Sequence, residues 1–398
     1  MEHKLMKRAA VWCLCFFAAA MGIMIYLSFQ KSALPPGAEP VSAQAQEKES
    51  ASEDGDEAEA ETQRPETDAE KDEGTDKTPD ESEQGDQETE DEKESGEVLF
   101  LSEGEEEEYQ KLTFSAEGAD TSYLRIPLPD GCKAGDIAIE NYYMDQEMWI
   151  LIDRAESDFY AKNAISGNQE SVRQGIYEET EKGTKLRFKL TGIFEYHTIL
   201  ENNELYISFL NPREVYDKIV VIDPACGGLQ TGYTQDGLRE KEINLAIAGK
   251  LKEKLDRSGI KAYFTRMDDV NPGQESRIRL ANEIRADLCI RIELGADEDG
   301  AVYGTAAVYN EDYFIPGFGS MELAKLLEEE VVSSIKGKGL GLEKAPEDED
   351  FLRYITVPAA ALKVGYATNK QEAALLVREE YQEKIAAGIY NAILKAYE

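Results

Sequence analysis

Histidine is almost missing from this chain, with 2 in 398 residues. His3 precedes an apolar run and His197 stands alone in a strand-like stretch, so a centre made of clustered imidazoles has no material here. A lone histidine on a strand reads as a surface or packing residue. Basic residues are also scarce, 43 Lys and Arg against 81 Asp and Glu, for a net charge of −38. Binding to nucleic acid needs clusters of Lys and Arg at the phosphates, and no such cluster is present. Cysteines number 5, of which Cys13 and Cys15 fall inside the apolar run. Cys132, Cys226 and Cys289 have neither metal-type nor disulfide-framework spacing.

What the chain does contain falls into regions of different composition. Residues 9–29 (AAVWCLCFFAAAMGIMIYLSF) carry no charge over 21 positions. As a helix this run spans about 30 Å, enough to cross a bilayer. Lys4, Lys7 and Arg8 precede it and only Lys31 follows closely, which keeps residues 1–8 in the cytoplasm and sends the rest outside. A cleaved signal peptide is the competing reading, on the strength of Ala43-Gln44-Ala45. That triplet lies well beyond the run, and the run exceeds the ~7–15 residues of a signal core. The expectation is therefore a retained single-pass anchor in the cell membrane. Residues 47–97 hold 24 acidic and 5 basic side chains, a surplus of 19 negative charges, with no aromatic residue. Such a segment has too little apolar surface to offset the entropy of ordering, so residues 30–97 read as an extended acidic tether.

Residues 98–214 alternate apolar and polar positions in short runs separated by Gly, Asn and Asp, for example 123–128, 148–152, 185–190 and 205–210. This period of two predicts a small antiparallel β domain. From Lys218 the rhythm changes. An apolar strand at 219–223 leads to the Cys226-Gly-Gly228 turn, and Ile243, Ile247, Leu251 and Leu255 recur every four residues on a helix ending near Gly259. Further strands are expected at 261–265, 288–293, 302–309 and 358–365, with helices at 277–285, 321–335 and 381–397. The fold class for residues 215–398 is α/β, a mainly parallel sheet with helices on both faces, and its site should lie at the carboxyl ends of the strands. Residues 336–350, rich in Gly and acids, read as a loop over the cleft or a disordered excursion.

An ordered set of residues in this half carries a resemblance. Val220-Val-Ile-Asp-Pro-Ala-Cys-Gly-Gly228, Glu240-Lys241 with Asn244-Leu245, Thr265-Arg266 with Asp269, Arg277 with Ala281-Asn282, Ala286-Asp287, Pro358, and Gly365-Tyr366 with Asn369 stand in order. Their order and spacing resemble those of the zinc-dependent N-acetylmuramoyl-L-alanine amidases, which cut the amide between N-acetylmuramic acid and the stem peptide. The β domain in front is similar in placement to the AMIN-like domain that precedes many of these enzymes. The resemblance implies three zinc ligands and a carboxylate base. By position the ligands fall on Cys226, Glu240 and Glu293, and the base on Lys363; only Glu240 is the residue type the family uses.

A hydrolytic zinc needs three protein ligands, an open position for water, and a nearby group to take the water's proton. An ammonium at 363 has no lone pair to offer. The expectation is that zinc is not bound and that Lys363 stands in for its charge, with its nitrogen in hydrogen-bonding reach of Glu240 or Glu293. The resemblance then implies a catalytically inactive wall protein that binds peptidoglycan or wall-processing proteins. Two alternatives stand beside it: an active amidase with zinc on a Cys/Glu/Glu set, and a structural component of an envelope complex.

Overall fold

The computed structural model describes residues 39–40 and 109–398, except 157, 236 and 313. The expected anchor at 9–29 and nearly all of the expected tether lie outside the described residues. Among the described residues no helix is long and apolar enough to cross a membrane.

The first module contains β1 (Glu39–Pro40), β2 (Gln110–Lys111), β3 (Leu124–Pro127), β4 (Ile137–Tyr142), β5 (Glu147–Asp153), β6 (Ser166–Gly167), β7 (Val172–Glu179), β8 (Gly183–Leu190), β9 (Glu195–Glu201) and β10 (Glu204–Leu210), with short helices α1 (Phe159–Lys162) and α2 (Pro212–Val215). They form two five-stranded antiparallel sheets, ordered β1-β9-β10-β3-β6 and β2-β7-β8-β5-β4. Alternate residues point inward as the pattern predicts. Leu124 and Ile126 of one sheet and Met148, Ile150, Leu186 and Phe188 of the other are fully buried in one shared core. His197 is exposed on β9.

The second module contains β11 (Ile219–Pro224), the hairpin β12 (Thr234–Gln235) and β13 (Leu238–Arg239), α3 (Glu240–Leu255), β14 (Lys261–Phe264), α4 (Gln274–Glu283), β15 (Leu288–Gly295), β16 (Thr305–Tyr309), α5 (Ser320–Ile335), β17 (Gly339–Lys344), α6 (Asp350–Tyr354), β18 (Ala359–Tyr366), α7 (Lys370–Leu376) and α8 (Glu379–Ala396). Its six-stranded sheet runs β14-β11-β15-β18-β16-β17. Strands β14, β11, β15 and β18 are mutually parallel, and β16 turns antiparallel to β18. The segment between β15 and β16 is too short for a helical crossover, which takes about a dozen residues or more, so this strand returns in the opposite direction. Residues 339–344, expected as loop or disorder, instead add the edge strand β17 beside β16.

Period two divides the sheet into two faces. Val220 and Ile222, Ile290 and Ile292, and Ala360 and Leu362 pack against α3, α5 and α8 through Ile247, Leu251, Leu327 and Ile389. On the other face Ile219 and Val221, Cys289, and Ala359 and Ala361 pack against Leu280, Ile284, Phe351 and Leu352 of α4 and α6 and the segments beside them. That second series continues past its apolar part into Asp223, Arg291, Glu293 and Lys363. Strand periodicity alone thus places four charges on one face, at the carboxyl ends of three adjacent strands.

Candidate functional site

Asp223 ends the buried part of β11 and is fully buried itself. Its register partner on β15 is Arg291, whose Nε donates to Oδ2 at 2.7 Å. Thr265 Oγ1 donates to Oδ1 at 2.6 Å, and Arg277 of α4 bonds the same oxygen. Burial pushes the carboxyl up, but Arg291 and Arg277 overcome it and hold Asp223 down at about 2. Arg291 also reaches Glu349 at 3.1 Å and lies 3.5 Å from the centroid of the Phe351 ring. Arg277 extends to Asn271 Oδ1 at 3.0 Å and to the Cys226 carbonyl at 3.3 Å. The centre of the cleft floor is therefore a closed ion network in which each buried charge has opposite charge beside it.

Cys226 occupies the turn after β11 with φ +64°, a left-handed conformation uncommon for a side chain of this kind. Gly227 behind it has no room for a Cβ, which would sit 2.0 Å from the Val270 carbonyl. The turn is latched from outside: Lys241 Nζ donates to the Gly228 carbonyl at 2.7 Å and to Asp269 at 2.6 Å, and Asp269 accepts from Gly228 N at 2.9 Å. Burial first, and then Glu240, push the Cys226 thiol up to about 11, so it stays protonated at neutral pH.

Glu240 opens α3, where an acid is favoured by the helix dipole. Both its oxygens are engaged. Oε2 accepts from Tyr233 N at 2.9 Å, and Oε1 accepts from Leu294 N at 3.0 Å and from Asn244 Nδ2 at 3.5 Å. Glu293 and Lys363 are register partners across β15 and β18. Burial raises the Glu293 carboxyl to about 7, against the downward pull of Arg291 and Lys363.

Lys363 does not do what the sequence suggests. Its Nζ bonds Glu343 of β17 at 2.5 Å, and Glu343 also accepts from the Tyr366 hydroxyl at 3.3 Å. No hydrogen bond links Lys363 to Glu240 or Glu293 among the described residues. The reason is the unexpected strand: β17 brings Glu343 onto the same face, two strands from Lys363, where it is half-exposed and free to take the ammonium. The cation with the stronger hold on Glu293 is Arg291.

The four positions singled out from sequence lie at one end of the sheet: Cys226 is in the turn after β11, Glu240 accepts from Leu294 N of β15, and Glu293 pairs in register with Lys363. Arg291, Glu343 and Glu349 complete the site and were not anticipated, and Tyr366, until now only part of a motif, joins them through Glu343. For Arg291 a signal was present: an arginine between Ile290 and Ile292 in a buried strand demands an acid beside it.

Among the described residues no three His, Cys, Asp or Glu side chains are grouped so as to hold one ion. Both oxygens of Glu240 already accept from amides, and Arg291 and Lys363 both bring positive charge to Glu293.

Comparison with known proteins agrees on the origin of this fold. The family profile described as N-acetylmuramoyl-L-alanine amidase matches residues 220–395. The Bacillus subtilis protein YqiI is 33% identical over 181 residues, covering 46% of this chain and 85% of that protein. The chain belongs to the N-acetylmuramoyl-L-alanine amidase family. Another relative, the amidase LytC of Bacillus subtilis, is 26% identical over 183 residues, which is 46% of this chain and 36% of LytC. A solved N-acetylmuramoyl-L-alanine amidase from Clostridium difficile 630 is 31% identical, with a TM-score of 0.42, over 45% of this chain and 95% of that one. The β module lies outside the family match.

Proposed function

We propose that this chain is a membrane-anchored, extracytoplasmic wall protein of the amidase family that has given up hydrolysis and uses the old cleft to bind peptidoglycan or a wall-processing partner. One observation carries the reading: the side chain at the base position is an ammonium clamped to Glu343. Attack by a metal-bound water requires an acceptor for its proton, and the ammonium at that position supplies none. The neighbouring positions support it, because Glu240 is held by backbone amides and Cys226 keeps its proton. The anchor at residues 9–29 and the acidic stretch at 47–97 support placement outside the cytoplasm, with enough chain between to reach into the wall.

An active amidase is the second reading, favoured by the presence of a thiol and two carboxylates at the ligand positions, all groups that zinc accepts. The purified chain incubated with peptidoglycan separates the two. Stable co-sedimentation without release of stem peptide is expected, and release of stem peptide overturns the proposal. The triple variant Cys226→His, Glu293→His, Lys363→Glu tests whether the scaffold still tolerates the chemistry, with gain of hydrolysis as the expected sign.

A further inference from the structure

Strand β14 is an edge of the amidase-like sheet, and an open edge invites pairing with other chains. Parallel pairing with β11 sends the amides of Lys261 and Thr265 inward, to the carbonyls of Lys218 and Ile222. By alternation the N–H and C=O of Phe264 point outward. Both are met by one side chain from the β module: the Tyr143 hydroxyl donates to the Phe264 carbonyl at 2.7 Å and accepts from its amide at 3.1 Å. Tyr143 thus stands where one residue of a further strand would.

The contact continues on both sides of this point. Glu195 of β9 pairs with Lys261 at 2.9 Å and accepts from the Tyr263 hydroxyl at 2.5 Å. Glu283 of α4 accepts from Ile193 N at 2.6 Å and from Gln146 at 3.1 Å, and Arg279 donates to the Met144 carbonyl at 2.8 Å. Beneath these polar contacts three residues of the β module join the apolar cluster on one face of the other module's sheet. Ile193, Tyr143 and Met144 pack in the same cluster as Ile219, Val221, Tyr263, Leu280 and Ile284.

We infer that the β module is the resident partner of the β14 edge, so that residues 109–398 are one cooperative folding unit and the module is no movable arm. It also acts on the cleft by position. Helix α4 sends Arg279 and Glu283 to the β module and Arg277 to Asp223, so the module's grip fixes the helix that supplies one of the two buried cations. Tyr143, Glu195 and Glu283 are then positioning residues.

The test uses the full chain with Trp12→Phe, which leaves Trp149 of β5 as the fluorescent probe of the β module, while far-UV circular dichroism follows the helices of the other module. The expected result is a single denaturant transition with coincident midpoints. Tyr143→Phe should lower both midpoints together, by roughly 2–8 °C in thermal form, because it strips two backbone groups of their partner. Exchange of the Phe264 amide should rise about 10- to 100-fold. The half-exposed control Tyr354→Phe should move neither. Separate transitions for the two probes in the unmodified tyrosine background overturn the inference without any variant, as does a Tyr143→Phe shift confined to Trp149.

Discussion

Asp223 faces Arg291 across β11 and β15 just as Glu293 faces Lys363 across β15 and β18, and the two rows have met different fates. The first pair closes directly at 2.7 Å, with Asp223 fully buried and Arg291 nearly so. In the second the lysine turns away to Glu343, and the acid is left in a site that raises its pKa to about 7. The sheet register is the same in kind, so register does not decide. What decides is whether other donors close around the acid. Thr265 and Arg277 complete the shell of Asp223, whereas among the described residues no such donors close around Glu293, and a competing carboxylate lies within reach of its lysine. The first row is framework, and the second is where the family's chemistry would have been.

The largest effect should come from breaking the framework row. Arg291→Met leaves Asp223 buried with one cation fewer and is expected to cost about 3–5 kcal/mol in urea denaturation. An unchanged midpoint would erase the distinction between the rows. Next comes pH, where the rows should respond in opposite directions. The Asp223 pKa is depressed from 3.8 to about 2, so its contribution is present above 3.8 and is lost as pH falls through 2. Glu293 is raised from 4.5 to about 7, so its contribution is present below 4.5 and is lost as pH rises through 7. Glu293→Gln should therefore abolish any fall in stability between those two pH values while leaving the acid limb intact; a profile identical to wild type contradicts the assignment. The smallest effect is expected from Lys363→Met. Its pair is partly solvated, with side chains 25% and 38% exposed, and should be worth at most ~1 kcal/mol. A loss as large as that of Arg291→Met would place Lys363 in the framework after all.

Much of this was legible beforehand. The alternation in Leu288-Cys-Ile-Arg-Ile-Glu293 and Ala359-Ala-Ala-Leu-Lys363 puts the four charges on one face once the strands are recognised, and the family positions of Cys226, Glu240, Glu293 and Lys363 follow from motif order. The partner of Lys363 was not legible. Glu343 lies in Gly339-Leu-Gly-Leu-Glu-Lys344, where two glycines and flanking acids mask a parallel edge strand whose pairing depends on β16 and not on local preference. Helix α7 escaped too, although Asn369 caps it through Gln371 N and Glu372 N, because its 7 residues are too few to display a period. The junction of the two modules depends on contacts such as Tyr143 with Phe264 and Ile193 with Glu283, 121 and 90 positions apart, which no local pattern encodes.

The measurement closest to the centre of this account is zinc binding by the intact chain, read by elemental analysis after equilibrium dialysis against micromolar zinc. The ion network and the ammonium at 363 predict far less than one zinc per chain and no change in melting temperature on adding metal or chelator. One zinc retained per chain, and lost on Glu240→Ala, would show that the cleft still holds the family's metal and would contradict the loss of hydrolysis.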